Sequence, residues 1–140
     1  MLVKDLMNTQ VIHIAPDETA AVAARLLGRY NIGVLPVCTA GGQLRGMLTD
    51  RDIVLRCIAA GRAPDQTPVS EIMSGHIVSV EPECGTAEAA ALMGREQIRR
   101  LPVCRGGRLV GMLSLGDLAR QNALEASQTL GGICSRLRRR

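Results

Sequence analysis

Aromatic side chains are nearly missing from this sequence: Tyr30 stands alone, with no Phe and no Trp. Any core must therefore be built from Leu, Ile, Val, Met and Ala. The stacking platform common in single-strand nucleic-acid binders is missing too. Long apolar runs are also absent. No stretch approaches the roughly 18 residues that span a bilayer, and no signal peptide precedes the first element, so no membrane association is expected. Disulfide chemistry has little to work with. The five cysteines, Cys38, Cys57, Cys84, Cys104 and Cys134, are odd in number and form no CxxC pair. That pattern argues against a disulfide framework and against a structural zinc site. His13 and His76 form no recognisable metal set with them, so no metal is expected. The expected compartment is the cytoplasm, where thiols stay reduced.

What is present suits a compact fold. The chain has 140 residues, 46% of them apolar and 21% charged, enough to bury a core. The net charge of +4 is a matter of position: Arg136, Arg138, Arg139 and Arg140 crowd the C-terminus. Without these four, basic residues balance the 13 acidic ones. A basic tail can meet nucleic acid or an anionic surface, but it is equally what a solvated terminus looks like. With no aromatics beside it, nucleic acid is not the expected partner.

The chain repeats itself. Val3 falls on Val69, Met7 on Met73, Pro16 on Pro82 and Leu35-Pro36-Val37-Cys38 on Leu101-Pro102-Val103-Cys104, an offset of 66. One extra residue in the Gly41-Gly42 turn reduces the offset to 65. Gly46-Met47-Leu48 then falls on Gly111-Met112-Leu113, and Asp52 on Asp117. A self-similar period of this length marks a duplicated structural unit.

Each copy reads as β-α-β-β-α. A short strand, Val11–Ile14 or Ile77–Val80, is stopped by Pro16 or Pro82. A helix is predicted over 19–30 and 86–96. Its apolar face in the first copy is Ala23, Leu26, Leu27 and Tyr30, at i, i+3, i+4, i+7. Strands Val34–Thr39 and Leu44–Leu48, or Leu101–Arg105 and Leu109–Leu113, flank a Gly-containing turn and read as hairpins. A second helix follows, over 50–60 and 115–126. The organisation is thus 1–62 for repeat one, 63–68 for a linker, 69–126 for repeat two and 127–140 for an Arg-rich tail. Within that tail, residues 127–135 either form a last short helix or stay loose. The fold class is α/β in composition, α+β in detail. Each copy alone is too small to bury much surface. Two packed sheet to sheet with pseudo-twofold symmetry would overcome that, with clefts between them where ligands commonly bind.

The duplication, the strand carrying Leu-Pro-Val and the run Gly-Met-Leu-Thr-x-x-Asp together resemble the CBS domain, and the pair resembles a Bateman module. The resemblance covers roughly residues 3–60 and 69–125. It implies a regulatory module rather than an enzyme, and no P-loop, dinucleotide GxGxxG or Ser-His-Asp constellation contradicts that. It implies homodimers, an unknown protein partner to receive the signal, and adenosine-containing ligands: AMP, ADP, ATP, and sometimes NAD or S-adenosylmethionine. No cofactor is required.

The same resemblance places ribose on Asp52 and Asp117, with Thr49 and Ser114 hydrogen-bonding ribose or phosphate. A carboxylate near a helix start can accept from a ribose diol, and the hydroxyl and free N–H groups there can hold phosphate oxygens. A bland alternative uses the same residues. Ser/Thr-x-x-Asp resembles a capping box, in which hydroxyl and carboxylate satisfy the first N–H groups of the helix. The two roles are compatible. Arg99 and Arg100 match positions where related repeats face phosphates, and a guanidinium fork suits that task; a plain surface pair is the alternative. Repeat one has Gly33 and Val34 there, so the two sites are expected to be unequal. Arg51 inside the first motif reaches either phosphate or solvent. Backbone around Ile12, Val78, Val34 and Leu101 would supply the adenine slot. Cys38 and Cys104 read as small buried hydrophobes. If no nucleotide binds, the repeats serve as a dimeric scaffold presenting a surface to a partner.

Overall fold

The computed structural model describes residues 1–121 and 130–131. It has mixed helices and strands with two small sheets, the α+β arrangement read from the repeat. Helix α1 spans Ala20–Tyr30, strand β1 Val34–Cys38, strand β2 Leu44–Thr49 and helix α2 Asp50–Asp52, which continues as a π-helical stretch, Ile53–Ile58. Helix α3 spans Thr86–Glu96, β3 Arg100–Arg105, β4 Arg108–Ser114 and α4 Leu115–Gln121. Residues 122–126 of the predicted last helix, the Arg-rich tail and Cys134 lie outside the described residues, as do all but two residues of 127–135.

Local chemistry sets the helix ends. Thr19 caps α1, its hydroxyl accepting from Val22 N at 3.3 Å, which satisfies one of the free N–H groups of the first turn. Asn31 and Gln97 end α1 and α3 in the left-handed conformation, at φ 52° and 58°. Of the predicted face of α1, Ala23 and Leu27 are buried and Leu26 packs partly against the core. Tyr30 departs from it and is 46% exposed. It is the last residue of the helix, where the apolar face has run off the core, and the Arg29 guanidinium lies 5.9 Å from its ring centroid.

Strands β1 and β2 form an antiparallel hairpin that pairs Leu35 with Leu48 and Val37 with Gly46. Strands β3 and β4 pair across the Gly106-Gly107 turn. Both glycines there have positive φ, 60° and 81°, the conformation a two-residue hairpin turn demands. The strands predicted at Val11–Ile14 and Ile77–Val80 are not formed as such. Each is reduced to one parallel bridge, Ile14 to Val37 and Val80 to Val103. Proline explains the truncation. Ile14 N donates to Pro36 O at 3.0 Å and Cys38 N donates to Ile14 O at 2.9 Å. The next rung would need an N–H from Pro36, which has none. Pro102 blocks the equivalent rung beside Val80.

The chain groups into two compact units that do not follow its order. One comprises Ile12–Ile77 with Gly107–Leu109; the other comprises Met1–Val11, Val78–Gly106 and the described residues from Val110 on. We call them the first-repeat and second-repeat units. Each repeat thus contributes its leading segment to the other's unit. In the first-repeat unit, Val69 and Ile72 are fully buried in a core with Leu35, Val37, Leu48 and Ile53. In the second-repeat unit, Val3 is buried with Met93, Leu101, Val103, Leu113 and Leu118. The stretch 63–68, read as a linker, is a packed part of the first-repeat unit. It holds a 3-10 turn at Pro64–Gln66, Thr67 is only 2% exposed, and Thr67 O accepts from Ala20 N at 2.8 Å.

Backbone bridges pin the exchanged segments. Met47 and Ser74 exchange hydrogen bonds of 3.0 and 2.9 Å in one unit, and Asn8 and Met112 two of 2.9 Å in the other. The strand residue beside each bridge is glycine because nothing larger fits. A Cβ on Gly46 would lie 2.5 Å from Ser74 O and 2.7 Å from Met73 Sδ; one on Gly111 would lie 2.7 Å from Met7 Sδ. Gly28, inside α1, has open space around it. Gly46→Ala should therefore lower unfolding stability by about 1–3 kcal/mol through overpacking. Gly28→Ala should raise it by roughly 0.5–1 kcal/mol. Urea denaturation of the two variants checks both signs.

Candidate functional site

The two Ser/Thr-x-x-Asp motifs fold identically, one in each unit. Thr49 ends β2 opposite Val34 on β1 and is the N-cap of α2. Its hydroxyl accepts from Asp52 N at 3.1 Å, and Asp52 Oδ2 accepts from Thr49 N at 2.9 Å. Ser114 and Asp117 repeat this with the same two distances, 3.1 and 2.9 Å. The capping role is thus realised in both motifs, with Asp in the place of the usual Glu.

Capping does not exhaust these groups. Each hydroxyl still has a proton to donate, and each carboxylate keeps its second oxygen. Among the described residues that oxygen meets an arginine from the next turn: Arg56 Nε lies 3.8 Å from Asp52 Oδ1, and Arg120 bonds Asp117 Oδ1. Both aspartate side chains are 16% exposed, whereas those of the arginines are 56% and 74% exposed. Such surface pairs contribute little and exchange readily. Each unit therefore offers a shielded carboxylate whose outer oxygen a ligand hydroxyl can take. The spacings i,i+4 and i,i+3 are the sequence signal for these partners.

The other expected residues divide between the units. In the first-repeat unit, Val34 and Ile12 are half-buried, and Ile12 packs against the core; Arg51 is exposed. In the second-repeat unit, Val78 is its counterpart and Leu101 is fully buried. The Leu101 side chain belongs to the core, leaving only its backbone for a ligand. Arg99 and Arg100 are exposed. Arg99 O accepts from Leu115 N at 2.8 Å, which fixes Arg99 beside the start of α4 and so beside Ser114 and Asp117. A cavity of about 380 Å³ also lies in this unit, lined by Glu81, Cys84, Glu88 and Leu92 among others. None of the ligand-binding residues expected from the sequence lines it.

The cysteines behave as packing groups. Cys38, Cys57 and Cys104 are buried and Cys84 is half-buried. Burial raises the Cys104 thiol above its usual range, opposed by a hydrogen bond from Ser79 and reinforced by Glu81. Burial also raises Cys84, with the Glu88 carboxylate adding to it. Among the described residues no cluster of His, Cys, Asp and Glu could hold a metal ion, and no helix is long and apolar enough to cross a membrane.

Thr49→Ala and Ser114→Ala should each lower stability by about 1 kcal/mol, the worth of an N-cap hydroxyl, as measured by thermal unfolding. Because only the thiolate attacks, Cys84 should alkylate with iodoacetamide at neutral pH more slowly than free cysteine. Mass spectrometry of timed digests reads that rate.

The CBS domain matches residues 3–58 and 69–123. CBS domain-containing protein YhcV of Bacillus subtilis is 50% identical over 117 residues, 84% of this chain and 82% of that protein. Hypoxic response protein 1 of Mycobacterium tuberculosis is 37% identical over 133 residues, 94% of this chain and 93% of that one. Among solved structures, Hypoxic Response Protein I, described with two coordinated zinc ions, superposes with a TM-score of 0.79 at 36% identity, over 86% of this chain and 98% of that one. The CBS domain pair of protein MJ0100, in complex with 5′-methylthioadenosine and S-adenosyl-L-methionine, superposes with a TM-score of 0.74 at 25% identity, over 89% and 98%.

Proposed function

The chain belongs to the CBS-domain family as a tandem pair, and from that premise we propose that it is a regulatory module that binds an adenosine-containing compound of the AMP, ADP or ATP class and does no chemistry on it. The observation that carries this reading is the duplicated motif: a capped aspartate, shielded by the fold, with one carboxylate oxygen turned to an exposed arginine. The 2′ and 3′ hydroxyls of a ribose would donate to Asp52 or Asp117. Thr49 or Ser114 would donate its remaining proton to ribose or phosphate. Backbone near Ile12 and Val34, or Val78 and Leu101, would receive adenine. Arg99 and Arg100 would face phosphate. NAD and S-adenosylmethionine share the adenosine half and remain ligands to test; the MJ0100 pair, with its two adenosine compounds, supports the class.

A bound ligand would act by favouring one packing of the module, or of a homodimer, by its difference in affinity for two states. Val54, Leu55 and Ile58, exposed on the π-helical stretch after α2, give self-association an apolar surface. The signal would pass to a protein partner in the cytoplasm. A second reading keeps the fold and drops the ligand. Both caps are complete with protein groups alone, as a dimeric scaffold would need.

A thermal-shift screen against AMP, ADP, ATP, NAD and S-adenosylmethionine separates them. A ligand at 100 times its Kd should add about 2.7 kcal/mol, and Asp117→Asn, which keeps an oxygen for the Ser114 N–H, should shrink that gain. No shift with any compound favours the scaffold.

A further inference from the structure

The two copies of the motif are alike in fold but opposite in the charge set beside them. In the second-repeat unit Arg99 O accepts from Leu115 N at 2.8 Å. In the first-repeat unit the matching bond runs from Asp50 N to Gly33 O at 3.1 Å. The two pairs are thus structural equivalents, and they exchange an arginine and a leucine for a glycine and an aspartate. The Asp50 side chain is placed accordingly. Its Oδ1 accepts from Arg51 N at 2.8 Å, and its Oδ2 lies 3.7 Å from the point where a Cβ on Gly33 would stand. A carboxylate therefore faces the position from which Arg99 projects in the other copy.

The remaining charges do not restore the balance. Around Thr49, Asp50 and Asp52 are offset by Arg51 and Arg56. Arg56 is partly engaged, its NH1 group 3.4 Å from both Ile72 O and Met73 O. Around Ser114, among the described residues, Asp117 stands with Arg99, Arg100 and Arg120. One site is close to neutral with a carboxylate at its phosphate end; the other is cationic there. A phosphate dianion gains charge-assisted hydrogen bonds from arginines and is repelled by a nearby carboxylate.

Resting on the adenosine-binding reading above, we infer that the two sites take different classes of adenosine compound. The Ser114–Asp117 site takes a phosphorylated one. The Thr49–Asp52 site takes one whose 5′ substituent is uncharged or cationic, such as a thioether or a sulfonium.

Calorimetric titration of the full chain with AMP and, separately, with 5′-methylthioadenosine tests this. Asp117→Asn and Arg99→Ala should each weaken AMP about tenfold, the worth of one charge-assisted contact, and leave 5′-methylthioadenosine unchanged. Asp52→Asn should do the reverse. The double variant Gly33→Arg/Asp50→Leu, which transplants the second site's charges, should bind an additional AMP per chain. Loss of both ligands in the same Asn variant, or unchanged AMP stoichiometry in the double variant, overturns the division while leaving adenosine binding intact. Retention of both ligands at full affinity in both Asn variants overturns the adenosine reading itself and the division with it. Far-UV circular dichroism and melting curves of each variant separate lost binding from lost fold.

Discussion

Two backbone bridges, Met47 with Ser74 and Asn8 with Met112, hold the arrangement on which the rest depends. Each ties the leading segment of one repeat onto the hairpin of the other. A hairpin with one amphipathic helix buries too little to stand alone. The exchanged segment completes its core, with Val69 and Ile72 in one unit and Val3 in the other. The contact is close enough that side chains are excluded at Gly46 and Gly111. This is why a two-unit protein of this size can do without aromatic residues in its cores. Its aliphatic cores are small, but each is closed by chain from both repeats.

The second constraint acts at the start of α2 and α4. A strand that runs directly into a helix leaves the first N–H groups of that helix exposed. Thr49 with Asp52, and Ser114 with Asp117, satisfy them reciprocally. The same bonds fix the carboxylate orientation. A side chain held by its own backbone would lose little freedom to an arriving ligand, so capping is compatible with the proposed binding. The capping role and the proposed ligand-binding role would then be two uses of one geometry.

Duplication supplies two such sites and divergence separates them. The fold-bearing residues are repeated almost unchanged: Leu-Pro-Val-Cys, Gly-Met-Leu, the capping pair. The residues around the carboxylates are not, with Gly33 and Asp50 in one copy and Arg99 and Leu115 in the other. Packing tolerates little variation at buried positions, whereas exposed positions are free to take either charge.

Much of this was legible in the residues alone. Periodicity located α1, α3 and both hairpins, because helix and strand repeats are local properties of the backbone. The internal repeat and the family resemblance it carries singled out Asp52 and Asp117. Other features were not legible. The strands at Val11–Ile14 and Ile77–Val80 shrank to single bridges because Pro36 and Pro102, distant in sequence, withhold the next N–H. Tyr30 had the right spacing and the wrong place, since spacing does not say where the core ends. Residues 63–68 have the composition of a linker, and the burial of Thr67 among them comes from a backbone contact with Ala20. The place of Asp50 beside Gly33 is not legible in the sequence, because the two meet only across the hairpin. The sequence by itself determined the repeat, its elements and the capping motif, all of which depend on neighbours a few residues away. Only the tertiary structure decided which repeat's leading segment completes which core, and which charges stand beside each carboxylate. Those contacts join residues far apart in the chain, and their energies do not exist until it has folded.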